Sequence, residues 1–89
     1  MYPLRSEGVQ ARKVGPDTLI LHSLLKQYHV LNHVAGRIWD LADGTRGADE
    51  IGSIVAAEFA VDEATARADV VSTLEALAAL RIVELEPAR

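Results

Sequence analysis

LNHVAGRIWDLADG, residues 31–44, is where the hydrophobic pattern of this 89-residue chain changes period. Upstream of it the apolar residues fall as they do in strands; downstream they recur at helical spacing. Asn32 suits a helix N-terminus, because its side-chain oxygen can accept from the free N–H groups of the first turn. Val34, Ala35, Ile38 and Leu41 follow at helical intervals, and Gly44 supplies the left-handed residue that stops many helices. The stretch predicts a helix over about 33–43. Trp39, the one tryptophan of the chain, sits beside the apolar stripe and reads as a core or groove-lining anchor.

Working back from Leu31, Tyr28–Leu31 (YHVL) is a short strand, and Thr18–Leu25 (TLILHSLL) is apolar enough for a central one. Val9–Val14 (VQARKV) alternates crudely, as an edge strand would. Gly15, Pro16 and Asp17 form a strong turn signal, whereas Lys26 and Gln27 form a weak one that leaves the second register open. An antiparallel three-stranded meander follows, with the 9–14 and 28–31 strands at its edges. Downstream of Gly44, a second helix is expected over about 48–59, with Asp49 and Glu50 near the positive end of its dipole and Ile51, Ile54, Val55 and Phe59 on its buried stripe. Asp62 caps a third helix to about residue 80, on which Val70, Val71, Leu74, Leu77 and Ala78 share one arc. Continued toward the N-terminus, that arc meets Glu63 and Arg67, so the first two turns are read as facing a groove or solvent. Ile82, Val83 and Leu85 read as an apolar tail folding back on the core, with a few frayed residues at each end. The fold class expected is α+β and winged-helix-like: an N-terminal β-meander followed by three α-helices, in one domain over 1–89.

Lys plus Arg is 9 and Asp plus Glu is 13, giving a net charge of −4 and a pI near 5.2. That balance argues against a nucleic-acid footprint, and the predicted third helix, with Asp62, Glu63, Asp69 and Glu75 beside Arg67, is wrong for a major-groove reader. The absence of cysteine removes disulfides, thiolate nucleophiles and thiolate metal sites. MYPLRSEG lacks the apolar core of a signal peptide, and no run approaches the roughly 20 residues of a membrane span, so a cytoplasmic protein without membrane partners is expected.

No catalytic constellation emerges. His22, His29 and His33 are the candidates for metal or acid–base work, but no paired carboxylate stands at ligand spacing. Ser23 and Ser72 have no activating arrangement, and Gly44 and Gly47 punctuate helices rather than cradle phosphate. Neither a metal nor a cofactor is expected, and the chain reads as non-catalytic. What the architecture offers is a free strand edge at Gln27, Tyr28, His29, Val30 and Leu31, to which an extended peptide can add as another strand. Main-chain pairing gives about 0.5 to 1.5 kcal/mol per bond and reads no sequence, so selectivity needs side-chain pockets. Arg67, Val70, Val71 and Leu74 are the wall expected for them, although each can equally serve as ordinary core.

The ordered set Leu31-Asn32, Ala35, Ile38-Trp39, Leu41, Asp43-Gly44, Ile51, Phe59, Val61-Asp62, Asp69-Val70, Leu74, Leu77 and Ile82-Val83 resembles the PqqD-like proteins, the recognition elements for RiPP precursor peptides. The resemblance runs from about Val9 to Leu85. Trp39, the Val61-Asp62 and Asp69-Val70 pairs and the stand-alone length look most like the discrete B1-type proteins of lasso peptide biosynthesis. It implies three antiparallel strands packed on three helices and a leader peptide held along Gln27–Leu31 against Arg67–Leu74. It also implies a leader motif with a tyrosine and a proline a few residues apart. The implied partners are a separate transglutaminase-like cysteine peptidase that removes the leader and the cyclase of the pathway. Two positions depart from the family pattern: Gly47, where a Thr or Ser cap often stands, and Arg81, which replaces a frequent glycine. The competing readings are a PqqD-like peptide chaperone for a radical SAM enzyme and an acidic winged-helix transcription regulator.

Overall fold

A computed structural model describes residues 2–86. In chain order its elements are β1 (Tyr2–Arg5), β2 (Val9–Val14), β3 (Asp17–His22), β4 (Gln27–Leu31), α1 (His33–Leu41), α2 (Ala48–Phe59), α3 (Glu63–Ala79) and β5 (Val83–Glu86). β2, β3 and β4 form the antiparallel meander, in that order, with β3 central. Side chains alternate across it: Thr18, Ile20 and His22 point inward and are buried, and their partners on β4 are Leu31, His29 and Gln27. Leu19 and Leu21 point the other way, opposite Val30 and Tyr28. An α+β architecture results, with the helices on the inner face.

Four local departures from the sequence reading have physical causes. The 18–25 run stops pairing at His22, because residues 23–26 turn the chain, closed by the Leu25 N–H donating to His22 Nδ1 at 3.3 Å. Nothing in TLILHSLL marks that stop, since the turn carries leucines instead of Gly or Asn. The first helix ends at Leu41 rather than near 43, because the Ala42 N–H turns back to the Trp39 carbonyl at 3.1 Å and Asp43 bridges to Leu4. The expected frayed N-terminus and apolar tail are instead strands, β1 and β5, paired antiparallel as Tyr2 with Glu86 through Arg5 with Val83. Four-residue strands some eighty positions apart leave no periodic trace, and only the closed fold brings them together. The C-terminal end beyond Glu86 lies outside the described residues.

Trp39 joins these parts. Its ring is buried in the core with Ile38, Leu41, Leu74, Leu77, Ile82 and Val83, and its indole N–H donates to the Ile82 carbonyl at 3.0 Å. The Arg5 guanidinium lies over the ring, 5.5 Å from its centre, and donates to the Asp40 carbonyl at 2.6 Å. The tryptophan is therefore a core anchor that holds α1 to both strands of the β1–β5 pair. Asn32 caps α1 by accepting from the Ala35 N–H at 2.9 Å, and Asp62 caps α3 by accepting from the Thr65 N–H at 3.1 Å. Gly47 begins α2 with no side-chain cap.

Candidate peptide-binding edge

β4 is hydrogen-bonded to β3 on one side and, among the described residues, to no strand on the other. Its outer N–H and C=O groups are a template for one more strand about five residues long. The pleat separates its side chains into two sets. Tyr28 and Val30 stand on the outer face of the sheet, 71% and 66% exposed. Gln27, His29 and Leu31 belong to the inner set, where Gln27 is exposed, His29 half-buried and Leu31 part of the core. The His29 Nε2 is buried and meets no hydrogen-bond partner among the described residues.

The expected helical wall divides differently. Val70 and Leu74 are fully buried, 0% exposed, so they hold α3 to the core and present no surface to a peptide. They lie with Ala66 and Leu77 on the stripe that α3 turns inward. The Arg67 side chain is half-exposed, and its stem also packs on α2. A Cβ at Gly52 would stand 2.7 Å from the Arg67 Cγ, so the arginine stem fills the space left by that glycine and seals α2 against α3. Its head donates to Glu63 Oε1 at 3.0 Å, an oxygen that also accepts from the Ser53 hydroxyl at 2.6 Å. The charged end of the apolar arc is thus a helix-to-helix contact, made possible by a glycine on the facing helix. Of the four residues, Val71 is half-buried on the flank of α3.

A cleft of about 680 Å³ that the sequence did not announce opens between residues 4–7 and the turn after β3, with Val83 also in its wall and no β4 residue lining it. His22, the pairing partner of Gln27, lines it together with Leu24, Leu25, Ala78, Arg81 and Glu84. Leu24 is 78% exposed, so the turn after β3 presents apolar surface that the strand reading of TLILHSLL missed. Arg81 reaches the cleft from a left-handed backbone, φ +62°, just beyond α3. The β4 edge offers an extended ligand main-chain bonds, and the cleft beyond the turn is a separate depression lined by apolar side chains and charges of both signs.

The histidines serve local roles: His22 closes the β3–β4 turn, and His33 packs edge-on against Phe59 at 4.9 Å. Among the described residues no three His, Cys, Asp or Glu side chains are grouped to hold a metal ion. No helix among them is long and apolar enough to cross a membrane.

Residues 14–83, from the end of β2 to the start of β5, match the family of coenzyme PQQ synthesis protein D, PqqD. The chain belongs to the PqqD family. No curated protein matches it in sequence. Among solved structures it is similar to TbiB1 in complex with the TbiA(beta) leader peptide, at 28% identity and a TM-score of 0.83, covering 96% of this chain and 99% of that one. The PqqD truncation of Methylobacterium extorquens PqqCD, a stand-alone RiPP recognition element, is 25% identical with a TM-score of 0.76, over 93% and 88% of the two chains. A lasso peptide synthetase B1 complexed with its leader peptide has a TM-score of 0.82 over 96% and 100% of the chains; at 13% identity it speaks for the fold alone. PqqD-family membership agrees with the resemblance drawn from Leu31-Asn32 through Ile82-Val83.

Proposed function

We propose that this chain is a non-catalytic recognition protein that captures the leader of a ribosomally made precursor peptide as an added strand on β4. The observation that carries the reading is the edge of Gln27–Leu31, which pairs with no strand beyond β3 among the described residues. Likeness over nearly the full length to a chain solved with a leader peptide supports it. The main chain of β4 supplies affinity, while Val71, Leu24, Leu25 and Ala78 supply apolar contacts that select among peptides. The pathway we favour is lasso peptide biosynthesis, in the cytoplasm, with a separate cysteine peptidase and the cyclase as the enzymes served. The PqqD relative at 25% identity keeps a radical SAM enzyme as the alternative client.

Fluorescence polarisation of a labelled leader peptide, with a scrambled control, tests the reading. The true leader should bind at least tenfold tighter than the control and lose little affinity between low and high salt, since few charges line the edge. A leader N-methylated at alternate residues in one register should bind poorly, and in the other register should bind normally. Equal binding of leader and scrambled peptide would overturn peptide recognition, and insensitivity to both methylation patterns would overturn strand addition.

A further inference from the structure

The third helix ends on a residue that its backbone does not favour. Arg81 takes φ +62°, its N–H donating to the Ala78 carbonyl at 3.0 Å and the following N–H, of Ile82, donating to the Leu77 carbonyl at 3.2 Å. Glycine ends helices in this way without strain, whereas a Cβ is crowded there. The side chain held in that place is exposed on the 680 Å³ cleft, and its guanidinium makes no hydrogen bond or ion pair among the described residues. Glu7 and Glu84 line the same cleft, yet neither is paired with it. A second donor in the cleft also lacks an acceptor. His22 is only 5% exposed, and its Nδ1 accepts from the Leu25 N–H, so the neutral ring carries its proton on Nε2, for which the described residues supply no partner.

One charged donor and one buried donor thus stand in a depression walled by Leu4, Leu24, Leu25, Ala78 and Val83. The group that serves both is a carboxylate, which accepts from several donors at once and forms charge-assisted bonds with a guanidinium. Chain topology says where it comes from. His22 is paired with Gln27, and Leu24 and Leu25 lie in the turn that leads into β4, so a strand added to Gln27–Leu31 leaves the sheet beside the wall of this cleft. We propose that the cleft receives an acidic side chain from the segment of the bound peptide that flanks the added strand at the Gln27 end, and that Arg81 is the residue that selects it. The inference rests on the peptide-binding reading above. Antiparallel pairing brings the C-terminal flank of the peptide to the cleft, and parallel pairing the N-terminal one. Within the cleft the formal charges of Arg5 and Arg81 balance those of Glu7 and Glu84. No broad positive field therefore draws anions from a distance, and recognition depends on the guanidinium fork itself.

Arg81→Gly tests the proposal, because glycine suits the backbone at that position and a loss of binding then belongs to the side chain rather than to the fold. The readouts are polarisation of the labelled leader peptide, polarisation of copies in which each acidic residue is replaced in turn by its amide, and thermal unfolding of each variant. Arg81→Gly should unfold no lower than the wild type and bind the leader about tenfold more weakly. One amide replacement, in the flank beyond the paired segment, should cost the wild type the same factor and cost Arg81→Gly nothing. Arg81→Glu should bind a leader carrying lysine at that position to within about threefold of the original pair. Undiminished binding of the leader by Arg81→Gly would overturn the inference and leave strand addition standing, as would a set of amide replacements that all leave wild-type affinity unchanged. Failure of the wild type to bind leader would overturn the peptide reading and this inference with it.

Discussion

Single residues in this protein do work that their type alone does not reveal. Gly36 sits where α1 crosses β3, and a Cβ there would stand 2.5 Å from the Thr18 Oγ1. Helix propensity favours alanine over glycine by about 1 kcal/mol, but overpacking a buried β-branched neighbour costs about 1–3 kcal/mol. Gly36→Ala should therefore destabilise the fold by about 1 kcal/mol in urea titrations, and the loss should vanish in a Thr18→Ala background. Asp43 gives a pH signature. Its carboxyl is held below the usual 3.8, first by the Thr45 hydroxyl at 2.6 Å, then by the Thr45 N–H and by Arg46. A folded value below the unfolded one means that the stabilisation is complete above about pH 4 and is lost as pH falls through the folded value. Asp43→Asn should flatten the decline in urea midpoint below about pH 4, leaving the slope above pH 5 unchanged, roughly as linkage requires. Gly36 was silent in the sequence because its partner Thr18 lies on another element. Asp43 stood in plain view, but its three donors depend on how Thr45 and Arg46 turn after α1.

At the scale of elements, helix starts were legible and helix ends were less so. Asn32 and Asp62 cap as their chemistry predicts, because an N-cap is a contact within four residues. The ends of α2 and α3 are different: Ala60 and Arg81 adopt left-handed backbone, φ +54° and +62°, where glycine is the comfortable residue. The glycine missing at position 81 was noticed as a departure from the family pattern, and the structure gives it a conformational meaning. Ala60→Gly should stabilise the protein by about 0.5–1 kcal/mol, which for a domain of this size raises Tm by roughly 4 °C. A lower Tm would mean that the αL turn after α2 is not kept in solution. The third helix shows the limit of a wheel. Its arc gave Glu63 and Arg67 a groove or solvent, and both are half-exposed, but it did not show that Gly52 on α2 receives the arginine stem. One helix cannot report the shape of the helix it will meet.

For the molecule as a whole, Trp39 decides closure. Its indole N–H and the Ser6 N–H converge on one acceptor, the Ile82 carbonyl, at 3.0 and 3.2 Å, so α1, the β1–β2 link and the approach to β5 meet at a single atom. Trp39→Phe should cost about 1–3 kcal/mol, the sum of a lost buried hydrogen bond and the indole volume. The urea slope should stay the same, because the β1–β5 pair unfolds with the rest; a second transition would show the pair to be a separate unit. The amino-acid sequence by itself determined the meander, the three helices, their starting caps and the family, since each depends on patterns within some ten residues or on an ordered set of such patterns. It also marked Gln27–Leu31 as an edge, because a strand between a turn and a helix has one neighbour to pair with. Tertiary structure alone decided the pairing of β1 with β5, the burial of Val70 and Leu74, the sealing of α2 against α3 by Arg67, and the apolar outer face. Each of these depends on which surfaces meet when distant segments close on one core, and periodicity along a single segment does not encode its partner.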